Sequence, residues 1–411
     1  MSNSPPFFEL VAPAGNPEKL EIALRFGADA VYLSDSRFGL RSGAGNFSLE
    51  ELAKAVKRVH ALTKKIYVAV NVFAHEKDLA VLPDYLNTLN NLGVDAVIVT
   101  DPGVLRLAKI HAPDIPITLS TQANTLNSQS ALFWQETGIS RIVLARELTL
   151  DDIKSIHMKA LGLSLEVFVH GAVCMSYAGR CFISNYLTGR DANRGDCTNS
   201  CRWKYYLHEE KRPGELYPIE EDGRGTYFFN SKDLNMLSAI PDLISAGVTS
   251  FKIEGRGKSI LYLATVVSTY RAALDSFLHN PKGYEVRKAW MDELEKIPHR
   301  GYSHGFLYGP PDPNEGYLPD KQLISSEYLL AGVVREAEPG TGIRIDAKNK
   351  IELGDSLDCI TPKGVNNITV ESLLDEAGKH VQELKPGFTG HLSADFSLEP
   401  YDLLRKKIKK D

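Results

Sequence analysis

No stretch of this 411-residue chain is long and apolar enough to cross a bilayer. The longest uncharged run, 115–135, is filled with Ser, Thr, Asn and Gln, whereas a span needs about 20 mostly apolar residues. The opening MSNSPPFFEL lacks a basic start and an apolar signal core, so a cytoplasmic location is expected, with no membrane partner. There is little excess charge, with 52 Asp plus Glu against 47 Lys plus Arg. Any nucleic acid must therefore be held by local patches. Cysteine is scarce, five in all, and a chain of this size needs no disulfide staples. Apolar content of 43% and charged content of 24% exclude a mainly disordered, collagenous or coiled-coil chain.

What is present is one repeated pattern. Short apolar runs at 9–12, 30–34, 66–71, 96–100, 117–120, 141–145, 165–170 and 250–254 alternate with helix-period segments. Their Val, Ile, Leu and Tyr content is that of fully buried parallel strands. Asn16 before Pro17, Ser48 with Glu51, and Thr149 with Asp152 mark helix starts. Gly27, Gly93, Gly138 and Gly247 stand where helices should end. Eight such units over about 250 residues predict an α/β fold, a (β/α)8 TIM-like barrel over 1–280. A doubly wound open sheet is the main rival.

An insertion follows strand seven, from 171 to about 227, with its cysteine-rich loop at 171–206 and a helix expected over 232–246. Residues 281–321, rich in Pro, Gly and Tyr, read as an irregular connector. Residues 322–411 read as a small antiparallel β-barrel, from the runs 328–334, 342–345 and 356–360 between turn residues. The end, 404–411, is a basic tail and reads as a solvated helix end.

The chemistry concentrates in that insertion. Cys174, Cys181, Cys197 and Cys201 follow the spacing C-x6-C-x15-C-x3-C. Only the last pair has the ligand spacing usual for zinc; four thiolates on a long loop equally suit a cubane iron–sulfur cluster. The segment 170–206 carries Arg180, Arg190, Arg194, Arg202 and Lys204 against Asp191 and Asp196. These cations fit a charged metal centre, an anionic substrate or RNA phosphates. Period two puts Glu166, Phe168 and His170 on one face of strand seven, and Ser250, Lys252 and Glu254 on one face of strand eight, with Arg256 beyond. His170 is a candidate proton shuttle. Lys252 and Arg256 are candidate carboxylate binders, set against a plain Glu166–Lys252 or Lys252–Glu254 pair. Asn71, Gln122 and Asn124 end strands and are candidates for the same pocket. Neither Gly-x-Ser-x-Gly nor His-Glu-x-x-His occurs.

Several motifs carry a resemblance. Glu166-Val167-Phe168-Val169-His170-Gly171-Ala172-Val173-Cys174, then Gly179-Arg180-Cys181 and Ser184, resembles the signature of the collagenase-like peptidase family, the unassigned-type family thirty-two. Glu9 to Gly15, Gly27 to Tyr32, Asn230 to Leu234 and Lys252 to Arg256 resemble the same family, so the likeness covers roughly 8–310. Within it, Ser184 to Asp191, Arg194 to Cys197 and Cys201 to Tyr205 are most similar to the tRNA hydroxylation protein P group. That resemblance implies hydroxylation of the wobble uridine at C5 to 5-hydroxyuridine. It implies a 4Fe–4S cluster on the four cysteines, and prephenate as a required co-substrate.

The implied partners are a tRNA anticodon loop and, since some members act in pairs, a partner subunit of the same family. His170, Glu254 and Lys252 are then the candidate catalytic groups; Arg256, Arg190, Arg194 and Glu166 the candidate substrate-binding groups. The Arg-rich loop, its aromatics Tyr177, Tyr186, Trp203, Tyr205 and Tyr206, and the basic tail are the candidate RNA surfaces. The rival functions are a peptidase, a hydroxylase of another RNA or ring, and a non-catalytic RNA-binding protein.

Overall fold

The computed structural model describes residues 8–40, 45–174, 176–202, 231–310, 326–338, 342–393 and 397–408, and between 207 and 226 the backbone of four two-residue strands. Trp203, Lys204, Tyr205, Tyr206, the last lysines of the tail and the side chain of Arg202 lie outside the described residues.

Eight parallel strands close into a barrel. They are Glu9–Pro13, Ala30–Leu33, Lys65–Val70, Ala96–Val99, Ile117–Leu119, Arg141–Val143, Ser164–Gly171 and Val248–Ile253, here barrel strands one to eight. Each pairs with the next, and strand eight pairs with both strand seven (Phe251 with Val167) and strand one (Glu9 with Ser250). That ring of pairings excludes the open sheet. The helix signals hold: Ser48 and Glu51 form a reciprocal capping box, as do Thr149 and Asp152, and the Asn16 side chain caps the first helix. Gly27 and Gly247 take φ of +106° and +91°. Both turn tightly under a neighbour, since a Cβ on Gly27 would lie 2.6 Å from Arg271 Cγ and one on Gly247 would strike the His157 ring.

Three expectations give way. Residues 232–246 do not form one helix. Strand Asp233–Asn235 pairs antiparallel with the end of barrel strand seven, and only Ile240–Ser245 is helical. Pro241 in the first turn sets that helix start, and Asn235 Oδ1 turns the chain by accepting from Leu237 N. The segment after 281 is not wholly irregular: helix Lys288–Leu294 buries Trp290 and Leu294, and Tyr302–Ser303 pairs with Asp233–Asn235. The tail is not a helix end. Leu403–Lys407 is a strand between Ser356–Thr361 and Tyr328–Glu338.

That strand belongs to a seven-stranded antiparallel sheet, in the order Gly364–Thr369, Ser356–Thr361, Leu403–Lys407, Tyr328–Glu338, Gly342–Ala347, Thr389–Leu392, Leu373–Asp375. It wraps a core of its own, including Ile345, Leu357, Cys359 and Leu404. Ion pairs join it to the barrel. Arg405, fully buried, reaches Glu293 at 2.9 Å and Asp358 at 2.7 Å, and Arg25 reaches Asp402 at 2.8 Å. Among the described residues no helix is long and apolar enough to cross a membrane.

Candidate active site at the barrel mouth

Alternate side chains of the strands point into the barrel. In the lower layer Tyr67 Oη donates to Glu9 Oε1 at 2.6 Å, and Arg141 Nη1 donates to Glu9 Oε2 at 2.5 Å and Glu166 Oε2 at 3.1 Å. Ser250 Oγ donates to Glu166 Oε2 at 3.0 Å. One layer higher, Lys252 Nζ donates to Glu166 Oε1 at 2.7 Å and lies 4.5 Å from the Tyr32 ring centroid. Buried charges persist only when paired and hydrogen-bonded, and here two carboxylates face two cations. Burial works to raise the Glu166 pKa, but Lys252 and Arg141 outweigh it and hold the carboxyl below its ordinary range. Burial, then the charge of Glu9, pushes the Tyr67 hydroxyl up, so it remains a donor. Glu166, expected to bind substrate, is thus enclosed in the network.

Above this network opens a cleft whose lining includes Asn71, Ser120, Gln122, Lys252, Glu254 and Arg256. It lies at the C-terminal ends of the strands, where barrel enzymes carry their chemistry. Arg256 Nη2 donates to Asn46 Oδ1 at 2.7 Å and Gly45 O at 3.0 Å, which orients the guanidinium from behind. Glu254 sits 3.8 Å from Arg146 Nη2, whose guanidinium lies 3.9 Å from the Phe168 ring centroid. The cleft therefore brings together Lys252, Glu254, Arg256, Asn71 and Gln122. Asn124 does not line it. It closes a turn at φ +57° instead.

His170 does not join them either. Glu166 and Phe168 face inward, but a register shift between strands seven and eight pairs His170 with Ile253. Its ring packs at 5.5–5.9 Å against Tyr262, Tyr270 and Tyr302. Burial, then the positive groups Lys258 and His299, pushes its pKa down to about 3. It is a neutral packing residue beside the barrel rather than a group in the cleft.

The cysteine loop is stitched across the mouth. Arg180 Nε donates to Gln122 O at 2.7 Å, on the lining of the cleft. Ala178 N donates to Glu147 Oε1 at 2.8 Å. Arg194 forks onto Asp78 at 2.7 and 3.0 Å and reaches Phe73 O at 3.0 Å. Its hydrogen bond, above all, brings the Asp78 pKa down to about 2. Arg194 is therefore a tether, while Arg190 is exposed at the surface and paired with Asp196 at 2.5 Å.

Cys174, Cys181, Cys197 and Cys201 are half-buried, and none is in a disulfide. Asn193 clamps Cys181 by its backbone on both sides, at 3.1 and 2.9 Å, and Asn199 N donates to Cys197 Sγ at 3.4 Å. Among the described residues no three His, Cys, Asp or Glu side chains gather as ligands of one metal ion. The donor set is four thiols spread along one tethered loop.

Sequence reasoning did not single out Glu9, Tyr67, Arg141 and Arg146. The signal was there for Glu9 and Arg141, each a charged residue opening a buried strand, where period two directs it inward.

A second cavity, of about 660 Å³, lies elsewhere, lined by residues including Lys232, Ser238, Met291, Tyr302, His304 and Tyr308. Ser238 Oγ is 2.7 Å from His304 Nε2 there. Among the described residues no carboxylate holds the other ring nitrogen, so the orienting third member of a hydrolytic triad is missing.

The model of peptidase family U32 matches residues 15–316, and that of the peptidase family U32 C-terminal domain matches 326–405. The chain is 37% identical over 401 residues to "tRNA hydroxylation protein P1" of Bacillus subtilis, covering 97% of this chain and 94% of that one. It is 35% identical to "tRNA hydroxylation protein P" of Escherichia coli, covering 92% and 91%. It is 37% identical to "23S rRNA 5-hydroxycytidine C2501 synthase" of Escherichia coli, covering 73% of this chain and 45% of that one. On the strength of a match spanning barrel, cysteine loop and C-terminal sheet, the chain belongs to peptidase family U32.

Proposed function

We propose that this protein is a tRNA-modifying enzyme that hydroxylates C5 of the wobble uridine, giving 5-hydroxyuridine. The observation that carries the reading is the near full-length relationship to proteins named for tRNA hydroxylation, on a chain whose four-cysteine loop is tied to the rim of a charged barrel mouth. The residues suited to hold a 4Fe–4S cluster are Cys174, Cys181, Cys197 and Cys201: four thiols outside any disulfide, at least one taking a backbone N–H bond. When bound, such a cluster supplies one-electron redox capacity or a Lewis-acidic iron.

The side chains of the cleft would do the rest. Lys252 and Arg256 line it beside Glu254, and Lys252 is bonded from below to Glu166, so an anion would be met chiefly by Arg256. A small carboxylate such as prephenate is the co-substrate we assign to it. Arg256, oriented from behind by Asn46, would meet a carboxylate, and Glu254 would accept or return a proton. Replacing C5–H by C5–OH is a two-electron oxidation, and none of these side chains stores electrons. The wobble base is already unpaired in a single-stranded loop, so presenting it costs little.

The test is mass spectrometry of tRNA nucleosides from the native host with and without the gene, in full and limited oxygen. Loss of 5-hydroxyuridine and its derivatives, restored by the parent gene but not by Cys181→Ala, supports the reading. Unchanged nucleosides under both conditions overturn it. Full modification by a variant lacking iron would overturn the cluster assignment alone.

A further inference from the structure

Five large apolar side chains within eleven residues of the cysteine loop face solvent: Tyr177, Phe182, Ile183, Tyr186 and Leu187. Tyr186, at 79%, is the most exposed large apolar residue among those described, and Phe182 reaches 73%. Single exposed apolar residues are ordinary, but a cluster marks a contact surface. The two rings are four residues apart across the start of helix Ile183–Thr188 and so lie on one side of it. The opposite side is anchored: Ser184 is fully buried, its Oγ bonded to Arg190 O and Thr198 Oγ1 at 2.8 and 3.0 Å. The exposure is thus imposed by the way the helix is pinned.

We propose that Phe182 and Tyr186 form a stacking platform for the unpaired bases that flank the target nucleotide. The inference rests on the tRNA reading above and adds the surface that grips the RNA. Three observations favour RNA over another occupant. Segment 176–190 carries Arg180 and Arg190, both exposed, and no acidic residue; Arg190 pairs with Asp196 just beyond it, so Arg180 is the guanidinium that suits a polyanion here. Aromatic faces beside guanidinium groups take bases of any identity, because every base presents a π-face. The platform is also joined to the cleft, since Arg180 between Tyr177 and Phe182 donates to Gln122 O on the cleft lining. The helix that carries the rings and the rim of the cleft are thus tied into one surface.

The experiment uses the full-length protein and an unmodified tRNA transcript as probe, with affinity measured at fixed salt. The double variant Phe182→Ala/Tyr186→Ala should bind about tenfold or more weakly, given what stacking of each base contributes. Tyr186→Trp should bind as the parent does. Tyr186→Leu keeps an apolar surface but no π-face, and should bind as weakly as Tyr186→Ala. Parent-like affinity in the double variant, or full rescue by Leu, overturns the platform. So does a parent that self-associates in light scattering and becomes monomeric in the double variant with tRNA affinity unchanged, because the face then covers a second copy. Since both side chains are exposed, circular dichroism should match the parent in every variant. Nucleoside analysis of the gene deletion separates the two readings. An unchanged nucleoside pool sinks the hydroxylase, whereas loss of the modification that the double variant fully restores sinks only the platform.

Discussion

Lys252 Nζ and Glu166 Oε1 meet at 2.7 Å inside the barrel, on neighbouring strands and with both side chains all but fully buried. The pair forms the floor of the cleft. It also turns one of the two strand-eight charges expected in the site into a group already bonded from below. Removing one partner of such a pair costs about 3–5 kcal/mol. Glu166 also accepts from Arg141 and Ser250; Arg141 keeps Glu9 at 2.5 Å, so Glu166→Gln strands Lys252 and should lose about that much in urea unfolding. Lys252→Met leaves Glu166 its other partners and should lose less. The double variant should lose less than the sum, and strict additivity would show that the two are uncoupled.

The buried imidazole of His170 predicts acid sensitivity. Its folded pKa, about 3, lies below the ordinary 6.5, so between these values the unfolded chain binds the extra proton. This group therefore costs nothing above about pH 6.5 and removes stability as pH falls, by up to about 1.4 kcal/mol per pH unit. His170→Asn should flatten that part of the stability profile between pH 6.5 and 4. A slope identical to the parent's would refute the assignment.

Thiol chemistry should divide the cysteines. Burial pushes Cys359 up to about 12, and its side chain is inaccessible in the sheet core. The four loop cysteines are half-exposed. In metal-free protein, iodoacetamide followed by intact-mass measurement should add four groups quickly and the fifth only on unfolding. Five groups at one rate would contradict this burial.

The Arg194–Asp78 fork should act locally. Neither group is deeply buried, with 24% and 14% side-chain exposure, so the fork is worth about 1 kcal/mol or less globally. Arg194→Ala should leave the unfolding midpoint nearly unchanged. Hydrogen exchange should nevertheless accelerate around 191–195, where Phe73 N otherwise bonds Asn193 O. A carboxyl held at about 2 also keeps the tether intact down to mildly acidic pH, and it weakens only as pH falls from about 4 towards 2.

Arg405 should govern how the C-terminal sheet sits on the barrel. It is fully buried and shared between Glu293 and Asp358, which are 22% and 21% exposed. Arg405→Met leaves the two carboxylates to share Lys296, 2.6 Å from Glu293 and 3.9 Å from Asp358. Calorimetry should then resolve the sheet and the barrel into two transitions, with the sheet melting first. One unchanged transition would show that the other contacts, the Arg25–Asp402 pair among them, hold the junction without Arg405.

The periodic part of the protein is legible in the amino-acid order alone. The eight barrel strands, the caps at Asn16, Ser48 and Thr149, and the helix-ending glycines all follow from local signals. Backbone hydrogen bonding and apolar alternation are read within a few residues, and tertiary packing had no cause to override them. The four cysteines and the crowding of Lys252, Glu254 and Arg256 at the end of strand eight were visible for the same reason. The rest depends on partners far apart in the chain. A register shift between strands seven and eight turned His170 out of the mouth. Glu9 and Arg141, 132 residues apart, made Glu166 a structural carboxylate. Pairing with Tyr328–Glu338 and Ser356–Thr361 made a strand of a basic tail, because a charged end can be buried where Glu293 and Asp358 already wait. Side-chain type states what a residue can do. The register and the partner decide whether it faces the cleft, a core or solvent.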